Sequence, residues 1–198
     1  MNKLLVLLLV VLSLIGCGAP APNHVAKDAA VRLDFTDGVC SGTIVGPHAI
    51  LTATHCFEGF DGQLAIDGNA VQVQEHIEDG WDHILVIVDA TYDYWASRGA
   101  DPEQQENIFL FGNPAGHRDW YRRGYVVGAD ADDNGYPVVI YDLNGFYGDS
   151  GSGIFAEDGS LIGVISLVAF QSRYGVPLKT MASYALHFTP EQWAKVNS

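Results

Sequence analysis

The chain has 198 residues, 48% of them hydrophobic and 17% charged, which is enough apolar material for a packed core and too little low-complexity sequence for disorder. With 24 acids against 10 bases its net charge is −14. That excludes the electrostatic attraction on which nucleic-acid binding and adsorption to anionic membranes depend. Glycines (22 of them) punctuate short apolar runs such as VQVQEHI, ILVIV and GVISLV, a pattern that favours an all-β sandwich or barrel in one compact unit.

The N-terminus opens with a cation, Lys3, followed by an apolar run over residues 4–15 that is too short to span a bilayer, and it reads as a secretory signal peptide. Its end, Leu14-Ile15-Gly16-Cys17, resembles the bacterial lipobox. In that reading residues 1–16 are removed, Cys17 carries lipid, and residues 17–30 tether the domain. The alternative is an ordinary signal peptide cut near GAPAP, with Cys17 discarded. Three cysteines leave one over in an exported chain, so giving Cys17 to lipid leaves Cys40 and Cys56 to pair. That loop of about 16 residues stabilises by roughly 3 kcal/mol in the chain-entropy picture. The expected location is the extracytoplasmic face of a bacterial membrane, the outer membrane in a Gram-negative host, since Gly18 rather than Asp follows the cysteine.

From Val31 the chain reads as VRLDF, a TDG turn, VCSGTIV, a Gly46-Pro47 break and HAILTA. QLAID and AVQVQEHI flank a hairpin turn at Asp67-Gly68-Asn69, and HILVIVD is a central strand. Residues 89–107 are polar and aromatic without alternation, a surface excursion with a helical turn. After IFLFG a subdomain junction is expected at residues 113–118, dividing 31–113 from 114–188. The second half offers WYRRGYVVGA, YPVVIYDL, GIFAED, SLIGVISLVAF and TMASYAL as strands. Thr189 as N-cap, Pro190 at the first helical position and Gln192 completing a capping box place a terminal helix over 189–197. DADDNGY, residues 130–136, opens like a calcium loop, but Pro137 interrupts it and Tyr141 stands where a bidentate glutamate belongs. A solvated hairpin turn fits better, and no metal or cofactor is expected.

Ser150 lies in GFYGDSGSGIF. A serine at its free pKa is a poor nucleophile, so chemistry there needs a base within hydrogen-bond reach and donors aimed at a developing oxyanion. Of seven histidines, His55 stands apart, because AILTATHC runs an apolar strand into a turn that Cys56 can staple to Cys40. Together, CSGTIVGPHAILTATHC, DHILVIV and GDSGSG, in that order, resemble the chymotrypsin/trypsin-like serine protease family, in its compact bacterial branch, across nearly all of residues 31–196. The resemblance implies two six-stranded antiparallel β-barrels with a short C-terminal helix, acting as a monomer on protein or peptide substrates. It further implies His55 as general base and then acid, Ser150 as nucleophile, and Asp82 as the carboxylate orienting the imidazole, with Asp79 as the fallback. The backbone N–H groups of Gly148 and Ser150 would form the oxyanion hole.

By the family's layout Asn144 falls at the floor of the pocket for the residue before the scissile bond, and Ser166 and Val168 lie on the strand that pairs with substrate. Asn144 is neutral and Val168 replaces a usual glycine, so small or medium apolar residues are expected there rather than Lys or Arg. Asp149 is the family's partner for a freed α-amino group. Residues 24–32 hold no evident activation site, so an internal donor is expected for Asp149 instead. Two other readings compete: a catalytically inactive protease-fold binding lipoprotein, and an α/β-hydrolase using Ser150, Asp158 and His187. The second is disfavoured by the absence of G-x-S-x-G around Ser150 and by the scarcity of helical segments.

Overall fold

The computed structural model describes residues 24–132, 135–171 and 177–197. The signal peptide, Cys17 and the tether as far as residue 23 lie outside them, as do Asp133 and Asn134. A first antiparallel sheet of seven strands comprises β1 (Ala30–Asp34), β2 (Val39–Gly46), β3 (Ala49–Ala53), β4 (Leu64–Ile66), β5 (Asn69–Val71), β6 (Val73–Glu78) and β7 (His83–Val88), in the order β5-β4-β1-β2-β3-β7-β6. The second, also of seven, comprises β8 (Asn107–Gly112), β9 (Trp120–Ala131), β10 (Pro137–Tyr141), β11 (Gly153–Ala156), β12 (Leu161–Val164), β13 (Leu167–Gln171) and β14 (Pro177–Tyr184), in the order β12-β11-β8-β9-β10-β14-β13.

The fold is therefore the expected pair of curled antiparallel sheets, with seven strands in each among the described residues rather than six. One apolar run in each half is broken in two, and the pieces lie on opposite edges of their sheet. AVQVQEHI breaks at Gln72, whose N–H donates to Asp89 Oδ1 at 2.8 Å and whose carbonyl accepts from Asp89 N–H at 3.1 Å. SLIGVISLVAF breaks at Ile165 and Ser166, whose N–H groups donate to the carbonyls of Ser152 (2.9 Å) and Ala182 (3.2 Å). Because consecutive strands occupy the two edges, each sheet curls on itself and leaves little free edge. Composition does not show such a corner, since both pieces are equally apolar.

Two apolar cores result, the first of which also takes in Phe109, Phe111 and Phe155 from the second sheet. Leu33, Ile44, Ile50, Leu51, Ile84 and Leu85 fill the first, and Leu110, Val126, Tyr141, Ile154, Ile165 and Met181 the second. Tyr141 Oη, buried in the second, is satisfied by Ser183 Oγ at 2.7 Å. Asp67 (φ 52°) and Gly68 (φ 84°) both take the left-handed conformation that a two-residue hairpin demands, joining β4 to β5 as expected. The β9–β10 connection is likewise a hairpin, with Ala131 opposite Pro137.

Three expectations need correction. The junction between the halves is not at residues 113–118, because β8 already belongs to the second sheet and pairs with β9 across the Pro114–Gly116 turn. The crossover is the 89–106 stretch, which contains no helical turn. Its amides bond to neighbouring strands instead, Ala96 N–H to Ile44 O (2.9 Å) and Gly99 N–H to Leu161 O (2.7 Å). Finally, part of the stretch read as tether is folded: α1 (His24–Ala29) buries Ala26 and Ala29 in the first core. At the other end α2 (Pro190–Ala194) carries the expected capping box on Thr189 and Gln192, and the short 3-10 turn after it buries Val196 among first-barrel residues.

Candidate active site

His55 lies in the 3-10 turn Thr54–Phe57 that follows β3. The turn is tied down on one side by the Cys40–Cys56 disulfide, which spans 16 residues and anchors it to β2. On the other side it meets the loop before β7. Asp82 Oδ2 is 2.9 Å and Oδ1 3.1 Å from His55 Nδ1, and Oδ1 also accepts the His55 N–H at 2.9 Å. Thr54 N–H donates to the Asp82 carbonyl at 3.0 Å. Asp82 itself has φ 73°, a left-handed conformation uncommon for a side-chain-bearing residue and tolerated where surrounding bonds over-determine it. The hydrogen bond to Asp82 raises the His55 pKa above its ordinary 6.5, aided by the charges of Asp82 and Glu58 and opposed by partial burial.

Ser150 arrives from the second barrel, on the turn before β11, and its carbonyl accepts from Ser41 N–H of β2 at 2.8 Å. Gly151 (φ 83°) lets this turn press against the first barrel, since a Cβ there would lie 2.0 Å from Thr52 Oγ1 and 2.1 Å from Ser41 O. His55 and Ser150 both line one cleft of about 420 Å³, with Gly148, Cys40, Cys56 and Tyr147.

The orientation of the Gly148 amide follows from its neighbours. Tyr147 C=O accepts from Ala115 N–H at 2.6 Å, and in a trans peptide the N–H of the next residue points the opposite way. Gly148 N–H is thereby turned away from Ala115. Ser41 Oγ donates to Gly148 O at 2.8 Å and accepts from Asn113 Nδ2 at 2.9 Å, which fixes the next peptide. Gly148 has φ 95°, and a Cβ would lie 2.5 Å from Asn113 O, so only glycine fits. Among the described residues neither Gly148 N–H nor Ser150 N–H donates to a backbone carbonyl.

Asp149, between them, is fully buried. Arg122 of β9 binds it through two nitrogens, Nη1–Oδ2 at 2.7 Å and Nη2–Oδ1 at 2.5 Å, and Phe146 N–H donates to Oδ2 at 2.9 Å. Arg122 is thus the internal donor. It also reaches Asn144 O at 2.9 Å. WYRRGY displayed the arginines, and only the pairing of β9 shows which of the two turns inward: Arg122 is 15% exposed, whereas Arg123 pairs with Glu157 at the surface.

Asn144 and Ser166 do not line this cleft. Asn144 is exposed and is held through its carbonyl. Ser166 is buried, its hydroxyl 3.3 Å from His83 Nε2 and from Val164 O. Val168 stands in β13 opposite Met181, and its side chain lies outside the described ones. Asp79, the fallback for Asp82, is engaged elsewhere, on His83. No group of three or more potential metal-ligating side chains occurs among the described residues.

Two curled antiparallel sheets meeting at a cleft that holds a carboxylate-bound histidine and a serine define the two-barrel serine peptidase class. The chain belongs to the trypsin-like peptidase domain family, which matches residues 40–164, and it is accordingly a serine endopeptidase by class. No curated protein matches it significantly by sequence. Among solved structures it is similar to the active form of the Rv3671c protease from M. tuberculosis, at 15% identity and a TM-score of 0.71 over 88% of this chain and 83% of that one. It is also similar to a Glu endopeptidase (16%, TM-score 0.66, 88% and 93%) and to the serine endoprotease from Yersinia pestis (17%, TM-score 0.69, 87% and 64%).

Proposed function

We propose that the chain is an exported endopeptidase, held at a bacterial membrane by lipid on Cys17, that cuts polypeptides through an acyl-enzyme on Ser150. The observation that carries the reading is the double contact of His55 Nδ1 with Asp82, which commits that nitrogen as a donor and leaves Nε2 as the basic one. Nε2 takes the Ser150 proton as Oγ bonds to the scissile carbonyl carbon. The carbonyl oxygen gains negative charge, received by the N–H groups of Gly148 and Ser150. The imidazolium then passes its proton to the leaving amine as the C–N bond breaks. Water then attacks the ester carbonyl as it gives a proton to the same nitrogen, the bond from the carbonyl carbon to Ser150 Oγ breaks, Oγ takes that proton back, and the carboxylic acid product leaves. Asp82 stabilises the imidazolium throughout and keeps its charge. Cleavage after small or medium apolar residues rests on the family's layout rather than on a contact with this cleft: that layout puts the neutral Asn144 and the branched Val168 at the pocket for the residue before the scissile bond.

A fluorophosphonate probe tests the chemistry. Wild type should be labelled on Ser150 and Ser150→Ala should not, with peptide turnover lost by several orders of magnitude. Folded, oxidised wild type that resists the probe would instead favour the inactive binding lipoprotein. Radiolabelled palmitate retained by wild type and lost in Cys17→Ala tests the anchor.

A further inference from the structure

Asp79 and His83 flank Asp82 and form a second carboxylate–imidazole pair that the proposed mechanism leaves unused. Their side chains are fully buried and 2.6 Å apart, Oδ2 to Nδ1. Burial of such groups opposes folding unless their polar atoms are satisfied. The Asp79 carboxylate accepts from Trp81 N–H (2.7 Å), His83 N–H (3.1 Å), His83 Nδ1 (2.6 Å) and His187 N–H (3.0 Å). Asp79 N–H in turn donates to His83 O at 3.0 Å. The loop is therefore wound around one carboxylate, and Asp82 sits at its left-handed corner (φ 73°). Burial works against that carboxylate's charge, but these hydrogen bonds and His83 outweigh it and hold the Asp79 pKa below the ordinary value.

The network continues outward from the loop. His83 Nε2 lies 3.3 Å from Ser166 Oγ, at the corner where β12 gives way to β13, so the string Asp79–His83–Ser166 passes from the first barrel to the second. Trp81 stacks on His187 with ring centroids 4.3 Å apart, which adds the segment leading into α2. Two separate stretches of chain, the β12–β13 corner and the segment before α2, thus meet the loop that carries Asp82.

We propose that Asp79 and His83 are positioning residues that, through Ser166, fix where Asp82 stands against His55 across the barrel boundary. A buried pair serving only as filler could be replaced by apolar groups of similar volume without loss. Here the carboxylate supplies the acceptors that shape the loop, which an apolar group cannot do. The inference rests on the His55–Asp82–Ser150 reading.

The test compares Asp79→Asn and Ser166→Ala with wild type, after circular dichroism and thermal melts identify the folded variants. The first readout is the rate constant for fluorophosphonate acylation against pH. The second is the titration midpoint of His55 by NMR in a Ser150→Ala background, where Asp82 and Glu58 are the charges acting on the ring. In Asp79→Asn acylation should fall about tenfold or more, since small displacements of a catalytic group are costly. The His55 midpoint should move down towards 6.5, because Asp82 holds the imidazolium less well. Ser166→Ala should move both readouts in the same direction by a smaller amount. Should Asp79→Asn fail to fold, Ser166→Ala, which deletes one hydroxyl, decides by the same readouts. Folded variants that acylate within about twofold of wild type with an unmoved midpoint would overturn the proposal. If wild type itself is not labelled, the parent reading fails, while the NMR midpoint still reports on the positioning.

Discussion

Arg122 holds Asp149 from two sides of one guanidinium, and the carboxylate it holds is the residue immediately before Ser150. The contrast with Arg123–Glu157 sets the scale. An exposed pair of that kind contributes about 0–1 kcal/mol. Removing one partner of a buried pair costs about 3–5 kcal/mol, because the other charge is left uncompensated. Arg122→Met is expected to lower unfolding free energy by an amount in that range and to slow acylation. Arg122→Lys should retain part of both. Denaturant unfolding alongside probe labelling measures the two effects.

The same pair carries a prediction about maturation. A freed α-amino group is not needed to neutralise Asp149, and α1 is packed into the first core ahead of β1. The terminus of active protein, read by mass spectrometry, is expected upstream of His24. A new terminus near Val31 that appears together with activity would contradict this.

In the proposed mechanism the raised His55 pKa would set the acid limb of activity. Nε2 must be neutral to accept the Ser150 proton, so activity should fall as pH drops through a midpoint above 6.5. Stability runs the other way. A histidine whose folded pKa exceeds its unfolded value stabilises below the unfolded pKa, and that contribution is lost as pH rises through the folded one. Asp82→Asn should move the acid limb down and cut kcat by a factor on the order of 10⁴ through the wrong tautomer. Pre-steady-state acylation between pH 5 and 8 reads both.

Gly148→Ala places a Cβ against Asn113 O in a backbone conformation that alanine rarely adopts. The loop has to shift, and the Gly148 N–H shifts with it. A loss of roughly 10²–10³-fold in kcat is expected, the usual cost of one oxyanion donor. KM should change far less, as steady-state kinetics on a peptide ester would show.

Substrate preference is the fifth prediction. A peptide library should be cut after Ala, Val or Leu in preference to Lys, Arg or Phe. A profile dominated by basic residues would contradict the roles given to Asn144 and Val168.

The sequence made His55, Ser150 and the cysteine pair legible because each sits in a short motif whose chemistry depends on adjacency. The capping box at Thr189 was legible for the same reason. What it left hidden depends on register and packing. Arg122 and Arg123 are indistinguishable until β9 is paired. The corners at Gln72 and Ser166 interrupt runs of uniform hydrophobicity. The NPAGH turn after IFLFG looks the same whether it ends a barrel or, as here, links two strands of one. His83 reads as the polar start of an apolar strand, and nothing local reveals that it meets Ser166, 83 residues away.

Phe188 and Val196 belong to the same apolar cluster as Leu33 and Ile50, so the end of the chain completes the barrel that begins it. During synthesis that barrel lacks part of its interior until residues 188–196 have emerged, and Asp79 lacks the amide of His187 for nearly the same interval. Assembly of the His55 side of the cleft is thereby deferred to a late stage of synthesis. Truncation beyond Tyr184 would open the first barrel, although the residues removed follow the last strand of the second.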